Sequence, residues 1–266
     1  MAPVLIHAGF HKTATTTLQD TARVNADLLA KYLRVFLKAD MIDVTEAARA
    51  YSVAPTRASL TLFEDAAQTL FSALDKDDER PVALLSEDLS GMMPGRSSVT
   101  DYSAAVALMP RLVRACAETF SDTEIEVYFT TRSADDWYAS AHWQLIRHSR
   151  KGVTLANFRK DYDTAADFGP LCDRISDAVD GASVTTMTLE DLRGFEHGPI
   201  EPVLSALNVP TEVLAQLEKP PRANSSYPEL RGLFRELNLS PLTDAQVGEL
   251  KATAIRMCRG QTVTRK

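Results

Sequence analysis

The chain has 266 residues, 45% hydrophobic and 24% charged, with 11 Gly and 13 Pro, a composition that excludes collagen, coiled coil and disordered tail. At about 100–200 residues per domain the length allows one large domain or two small ones, and it is enough to bury a core without disulfides or metal. A formal charge of −7 argues against a broad nucleic-acid-binding face, which needs a surplus of Lys and Arg.

Taken in chain order, Pro3 to His7 is a short apolar run that stops at Gly9. Thr15 to Lys31 follows with Leu18, Ala22, Leu28, Leu29 and Tyr32 at helical spacing, so the chain opens with strand, glycine turn and helix. Tyr32 to Lys38 reads as a second strand and Ala58 to Leu74 as an amphipathic helix. The charged run Asp75 to Arg80 reads as a solvated loop. Pro81 to Ser86 is nearly all apolar, the pattern of a strand buried on both faces. Met109 to Phe120 predicts a returning helix, and Glu124 to Thr131, rich in β-branched and aromatic residues, predicts another strand. Ser133 reads as the cap of a helix from about Ala134, and Val184 to Met187 as a last strand. From about residue 195 to 266 the pattern is mostly helical, broken by a loop from Lys219 to Pro228.

Strands alternating with helices predict an α/β fold, a three-layer sandwich with a central parallel sheet. No repeat and no linker divides the chain, so a single domain over residues 1–266 is expected. Ligands of such sheets sit outside the carboxyl ends of the strands, and three predicted strand ends here carry unusual polar residues.

The first is Gly9-Phe-His-Lys12-Thr-Ala-Thr-Thr-Thr17. Amide groups at a helix start, with the dipole's positive end, favour an anion, and Lys12 adds a full charge. Thr13, Thr15 and Thr16 add hydroxyls, and no carboxylate intervenes. The bland alternative is a threonine-rich helix start that caps itself, an odd use of a residue that fits helices poorly. A G-x-x-x-x-G-K-[ST] string does not occur.

At the fourth predicted strand, Arg132 leaves the strand end, and Ser140 follows about two turns into the next helix, roughly 10 Å along its axis. The two can converge on one phosphate, and an Arg132 pair with Asp135 or Asp136 is the plain alternative. At the third, Pro81 to Ser86 delivers Glu87 and Asp88 to the same crevice. These are candidates for proton transfer, or for a cap or a pair with an arginine such as Arg96. His7 reads as a core histidine and His11 as a loop residue able to contact a ligand. His142 and His148 read as surface or pocket wall.

Gly-x-x-Lys-Thr-x-Thr-Thr after the first strand, with Arg-x7-Ser after a later one, resembles the P-loop sulfotransferases. The resemblance covers the first thirty residues and roughly 82–150, with donor-binding elements at 3–31 and 124–150. It implies transfer of a sulfuryl group from 3′-phosphoadenosine 5′-phosphosulfate to a hydroxyl or amine. Lys12, Thr13, Ala14, Thr15 and Thr16 would hold the 5′-phosphosulfate, and Arg132 and Ser140 the 3′-phosphate. Lys12 would stabilise the leaving phosphate and Glu87 would be the general base, with Asp88 or a histidine as substitutes. The family usually has glycine where Ala14 stands. No metal is expected. A nucleotide kinase or NTPase, and a relative that binds the donor without turnover, are the competing readings.

Three cysteines, Cys116, Cys172 and Cys258, have no zinc spacing and read as reduced thiols. The amino terminus lacks the features of a signal peptide, and no run of about 18 apolar residues occurs. A cytoplasmic chain with no membrane span is expected, acting on a small or intermediate acceptor such as an oligosaccharide or lipid. Acceptor walls are expected from residues 32–57, 91–101 and 143–163, bearing Phe36, Met41, Tyr51, Met92, Met93, Tyr102, Trp143 and Phe158, with core as the plain alternative for most of them. The loop from Gly91 to Ser98 is a lid candidate, and Arg222 to Ser226 a candidate cover for the 3′-phosphate or adenine.

Overall fold

The structure is a computed structural model that describes residues 2–220 and 227–260. Its backbone groups into two compact units, one of residues 1–133 and 164–221, the other of residues 134–163 and 222–266.

In the first unit the chain runs β1 (Val4–His7), α1 (Thr15–Val24), α2 (Ala26–Leu29), β2 (Arg34–Leu37), α3 (Ile42–Val53), α4 (Arg57–Ser72), β3 (Val82–Leu85), α5 (Ala104–Thr119) and β4 (Ile125–Thr131). The second unit takes α6 (Ala134–His148) and α7 (Leu155–Asp161). The chain then returns to the first with α8 (Phe168–Ala178), β5 (Ser183–Thr188), α9 (Leu189–Leu192) and α10 (Ile200–Ala206). It ends in the second with α11 (Arg231–Leu239) and α12 (Asp244–Cys258).

The five strands form one sheet in the order β2-β3-β1-β4-β5, every pair parallel. This is the α/β sandwich that the alternation of strands and helices predicts. β1 and β3 are fully buried, as their unbroken apolar runs require. One face of the sheet, through Leu5, Ala83, Leu85 and Tyr128, packs on Leu18 and Ala22 of α1 and on Ile200, Val203 and Leu204 of α10. Ile6, Leu84 and Val127 are buried on alternate positions of the same strands, and α5 lies against β4.

One predicted helix is divided. The segment from Thr15 to Lys31 breaks at Asn25, whose side chain donates to the carbonyls of Thr21 (2.8 Å) and Glu218 (2.9 Å) and accepts from the Glu218 amide (2.8 Å). An asparagine that bonds backbone in this way competes with the helix ladder. No helix among the described residues is long and apolar enough to cross a membrane.

β1 and β4 are neighbours in the sheet, yet β1 sends its connection towards β2 and β4 sends its own the opposite way, towards β5. That reversal opens a crevice at their carboxyl ends. The β1–α1 loop and Arg132 both lie there.

Candidate functional site

The β1–α1 loop is held from below by Phe10, which is fully buried with ring centroids 4.7 Å from Phe168, 4.9 Å from Tyr102 and 5.0 Å from Phe129. Gly9 is required by space. A Cβ there would stand 2.6 Å from the His7 ring and 2.9 Å from Thr15 Oγ1.

Two further residues of the loop hold left-handed backbone, Lys12 at φ 70° and Ala14 at φ 73°. Such angles cost an L-residue about 1–2 kcal/mol each. The glycine that the resemblance leads one to expect at position 14 would relieve that strain, and alanine bears it.

Ala14 is the N-cap of α1 and offers no side-chain cap. The first helical bond runs from the Leu18 amide to the Ala14 carbonyl at 3.1 Å. The amides of Thr15, Thr16 and Thr17 therefore stand at the helix start as donors with no intrahelical acceptor. Thr16 and Thr17 are exposed. Thr15 is 3% exposed, and its hydroxyl has no hydrogen-bond partner. A buried hydroxyl without a partner is costly, and this one stands at the first residue of α1.

Thr13 behaves differently. It is fully buried, and its hydroxyl donates to the Phe10 carbonyl (2.5 Å) and lies 2.8 Å from the Thr130 hydroxyl. Its side chain braces the loop against β4, which leaves the backbone amide as its donor. Thr130 Oγ1 also meets His7 Nε2 at 3.3 Å. Burial depresses the His7 imidazole to about 3, so the ring is neutral. His7 is the core histidine that the sequence suggests.

Arg132, at the carboxyl end of β4, donates from Nη1 to the Lys12 carbonyl at 2.9 Å. Two predicted donor residues separated by 120 positions are thus brought to one loop. Ser140 belongs to the second unit, half-buried on α6.

At the end of β3, Glu87 is half-buried and its Oε2 accepts from Gln19 Nε2 of α1 at 2.8 Å. Asp88 is buried and meets three basic groups. Lys38 Nζ is at 2.6 Å, His11 Nε2 at 3.3 Å and Arg49 Nε at 3.7 Å. Burial pushes this carboxyl up, and the His11 and Lys38 groups beside it reverse that and hold it at about 2. Asp88 is therefore an ionised hub, and its arginine is Arg49 of α3, where the sequence suggested Arg96. Nothing in the sequence links Lys38, Arg49 and Asp88, because their contact depends on how α3 and β2 pack beside β3.

The acceptor candidates divide. Met41, Met93, Tyr102, Trp143 and Phe158 are buried core, whereas Phe36, Tyr51 and Met92 are half-buried. The lid candidate is largely packed. Residues 93–95 are buried, the Met92 amide donates to Ser52 Oγ at 2.8 Å, and only Ser97 and Ser98 are exposed. Gly91 sits at φ 97° against the Ser52 Cβ, a position no larger residue fits. His142 is buried in the second unit with Nε2 on the Val153 carbonyl at 2.8 Å, and His148 is exposed. The residues from Arg222 to Ser226 lie outside those described. Cys116 and Cys172 are buried and Cys258 exposed, all with free thiols; burial pushes the first two up to about 12. Among the described residues no group of three or more His, Cys, Asp or Glu is placed to hold a metal ion.

No protein-family model, curated protein or solved structure matches this chain. At the crevice stand the amino terminus of α1, Lys12, Arg132 and the buried, unpartnered Thr15 hydroxyl, with the carboxylates of Glu87 and Asp88 at the end of β3.

Proposed function

We propose that the chain is a sulfotransferase that moves a sulfuryl group from 3′-phosphoadenosine 5′-phosphosulfate to a hydroxyl or amine of a small or intermediate acceptor. The observation that carries the reading is the buried, unpartnered Thr15 hydroxyl at the start of α1, in a loop whose Lys12 carbonyl takes the Arg132 guanidinium. That cradle fits a phosphosulfate, with backbone donors, hydroxyls and cations and no carboxylate among its own residues.

In this reading the amides of Thr15 and Thr16, with the Thr15 hydroxyl, hold the 5′-phosphosulfate. Lys12 neutralises the charge that grows on the bridging phosphate oxygen as the sulfur–oxygen bond breaks. Glu87 takes the acceptor's proton as the new oxygen–sulfur or nitrogen–sulfur bond forms in line, and Gln19 fixes its carboxylate meanwhile. Adenosine 3′,5′-bisphosphate leaves. Arg132 serves the 3′-phosphate.

Thermal denaturation with adenosine 3′,5′-bisphosphate tests the reading against a kinase or NTPase. At a concentration 100 times Kd the bisphosphate stabilises by about 2.7 kcal/mol, and ATP with Mg²⁺ leaves the transition unmoved. The reverse result overturns the proposal. Transfer of labelled sulfate to a panel of acceptors then separates an enzyme from a silent binder. Lys12→Ala is expected to lower that transfer by about 10²–10³-fold. If Glu87→Gln retains turnover, the base is another residue.

A further inference from the structure

The β1–α1 loop keeps an unfavourable backbone at Lys12 and Ala14, and strained backbone persists only where its surroundings over-determine it. On the β4 side the restraints are the Arg132 bond to the Lys12 carbonyl and the Thr130 contact with Thr13. On the β3 side the contact comes through His11, the residue just before Lys12. Its Nε2 lies 3.3 Å from Asp88 Oδ1, and its ring stacks on Tyr102 with centroids 6.0 Å apart and planes 19° apart. Lys38, at 2.6 Å, already supplies Asp88 with an ion-pair partner, so the His11 contact is not needed to balance the carboxylate's charge. An ionised carboxylate can only accept, so the proton of this bond sits on His11 Nε2, and the ring's orientation and protonated nitrogen are set together.

We propose that Asp88 is a positioning residue for the β1–α1 loop: through the Nε2–H of His11 it fixes the backbone that presents Lys12 to an incoming phosphate group. The proposal rests on the reading of this loop as the donor site. It gives Asp88 a task distinct from that of its neighbour Glu87, whose carboxylate faces Gln19.

Two measurements test it. The first needs no ligand. Proton NMR of the wild-type chain shows a slowly exchanging imidazole N–H resonance, lost in both His11→Ala and Asp88→Ala; its absence from the wild type overturns the proposal. The second is calorimetric affinity for adenosine 3′,5′-bisphosphate. Asp88→Ala and His11→Ala each weaken it about tenfold, the scale of one charge-assisted hydrogen bond, and the double variant is no weaker than either. His11→Gln, whose amide reaches the same carboxylate, recovers most of the loss, which decides the matter even if Asp88→Ala fails to fold. Losses that multiply in the double variant, or an affinity unchanged in His11→Ala, overturn it. A wild type that binds no bisphosphate sinks the donor reading instead, and the resonance then decides the Asp88 clamp.

Discussion

Each unit of this molecule directs a cationic side chain at backbone carbonyls, and the two arrangements do different work. In the second unit Lys251 of α12 is 6% exposed and donates to the carbonyls of Ile146 (2.7 Å), Ser149 (2.9 Å) and Arg147 (3.4 Å). Asn238 joins it with bonds to Ile146 (2.9 Å) and Lys151 (2.8 Å). These are the last carbonyls of α6 and of the turn beyond it, so positive charge meets the negative end of a helix and the helix is closed. In the first unit Lys12 and Arg132 gather ahead of the amino end of α1, where their charge adds to a positive end. The Thr15 hydroxyl there stays without a partner. A cation at a helix's carboxyl end completes the protein. At the amino end, in the reading proposed above, it serves an anion from outside.

The largest expected effect is the response of the first unit's buried His7 to acid. His7 titrates near its ordinary 6.5 in the unfolded chain and at about 3 when folded, so the unfolded state binds the extra proton between those values. Stability contributed by the neutral ring is complete above pH 6.5 and lost as pH falls towards 3, at about 1.4 kcal/mol per pH unit. By pH ~3.5 the loss reaches roughly 4 kcal/mol. Asp88 extends the limb, since its carboxyl drops from 3.8 to about 2 on folding and its stabilising share vanishes over that interval. Urea denaturation at stepped pH should show this limb in the wild type and a flatter one in His7→Gln. If the limb is unchanged in that variant, burial of the ring does not carry it.

Next in size is the cap on α6. Lys251→Met keeps the aliphatic contact with Phe234, over which the ammonium lies at 5.6 Å from the ring centroid, and removes the donors to three carbonyls. A loss of about 2 kcal/mol is expected, together with an unaltered response to adenosine 3′,5′-bisphosphate. Lys12→Ala should do the converse, keeping stability and losing the response. Variants that behaved alike in both measurements would erase the contrast between the two cations.

The layout of the sheet was readable because each strand carries its own signal. Val4–His7 and Val82–Leu85 are unbroken apolar runs, and Ile125–Thr131 is β-branched and aromatic. The loop was readable for a related reason, since its lysine and threonines fall within nine consecutive residues. What was hidden depends on packing between distant segments. Thr13 looks like a ligand residue in sequence, yet Thr130, 117 positions away, engages its hydroxyl. The neighbours Glu87 and Asp88 look interchangeable until α1 supplies Gln19 to one and α3 supplies Arg49 to the other. The loop from Gly91 reads as mobile because glycine and serine flank it, but Met93 is buried core and holds it down.

The smallest expected effect lies at Ala14. Its φ of 73° costs alanine about 1 kcal/mol that glycine would not incur. Glycine in turn widens the unfolded ensemble, which offsets roughly half of that gain. Ala14→Gly should therefore raise stability by about 0.5 kcal/mol, and Ala14→Val, β-branched at a left-handed position, should lower it by more than about 1 kcal/mol. Loss of stability in Ala14→Gly would mean that the loop does not hold the left-handed turn in solution. The donor amides of α1 would then not be poised before a ligand arrives, and the contrast with the closed end of α6 would need its cause elsewhere.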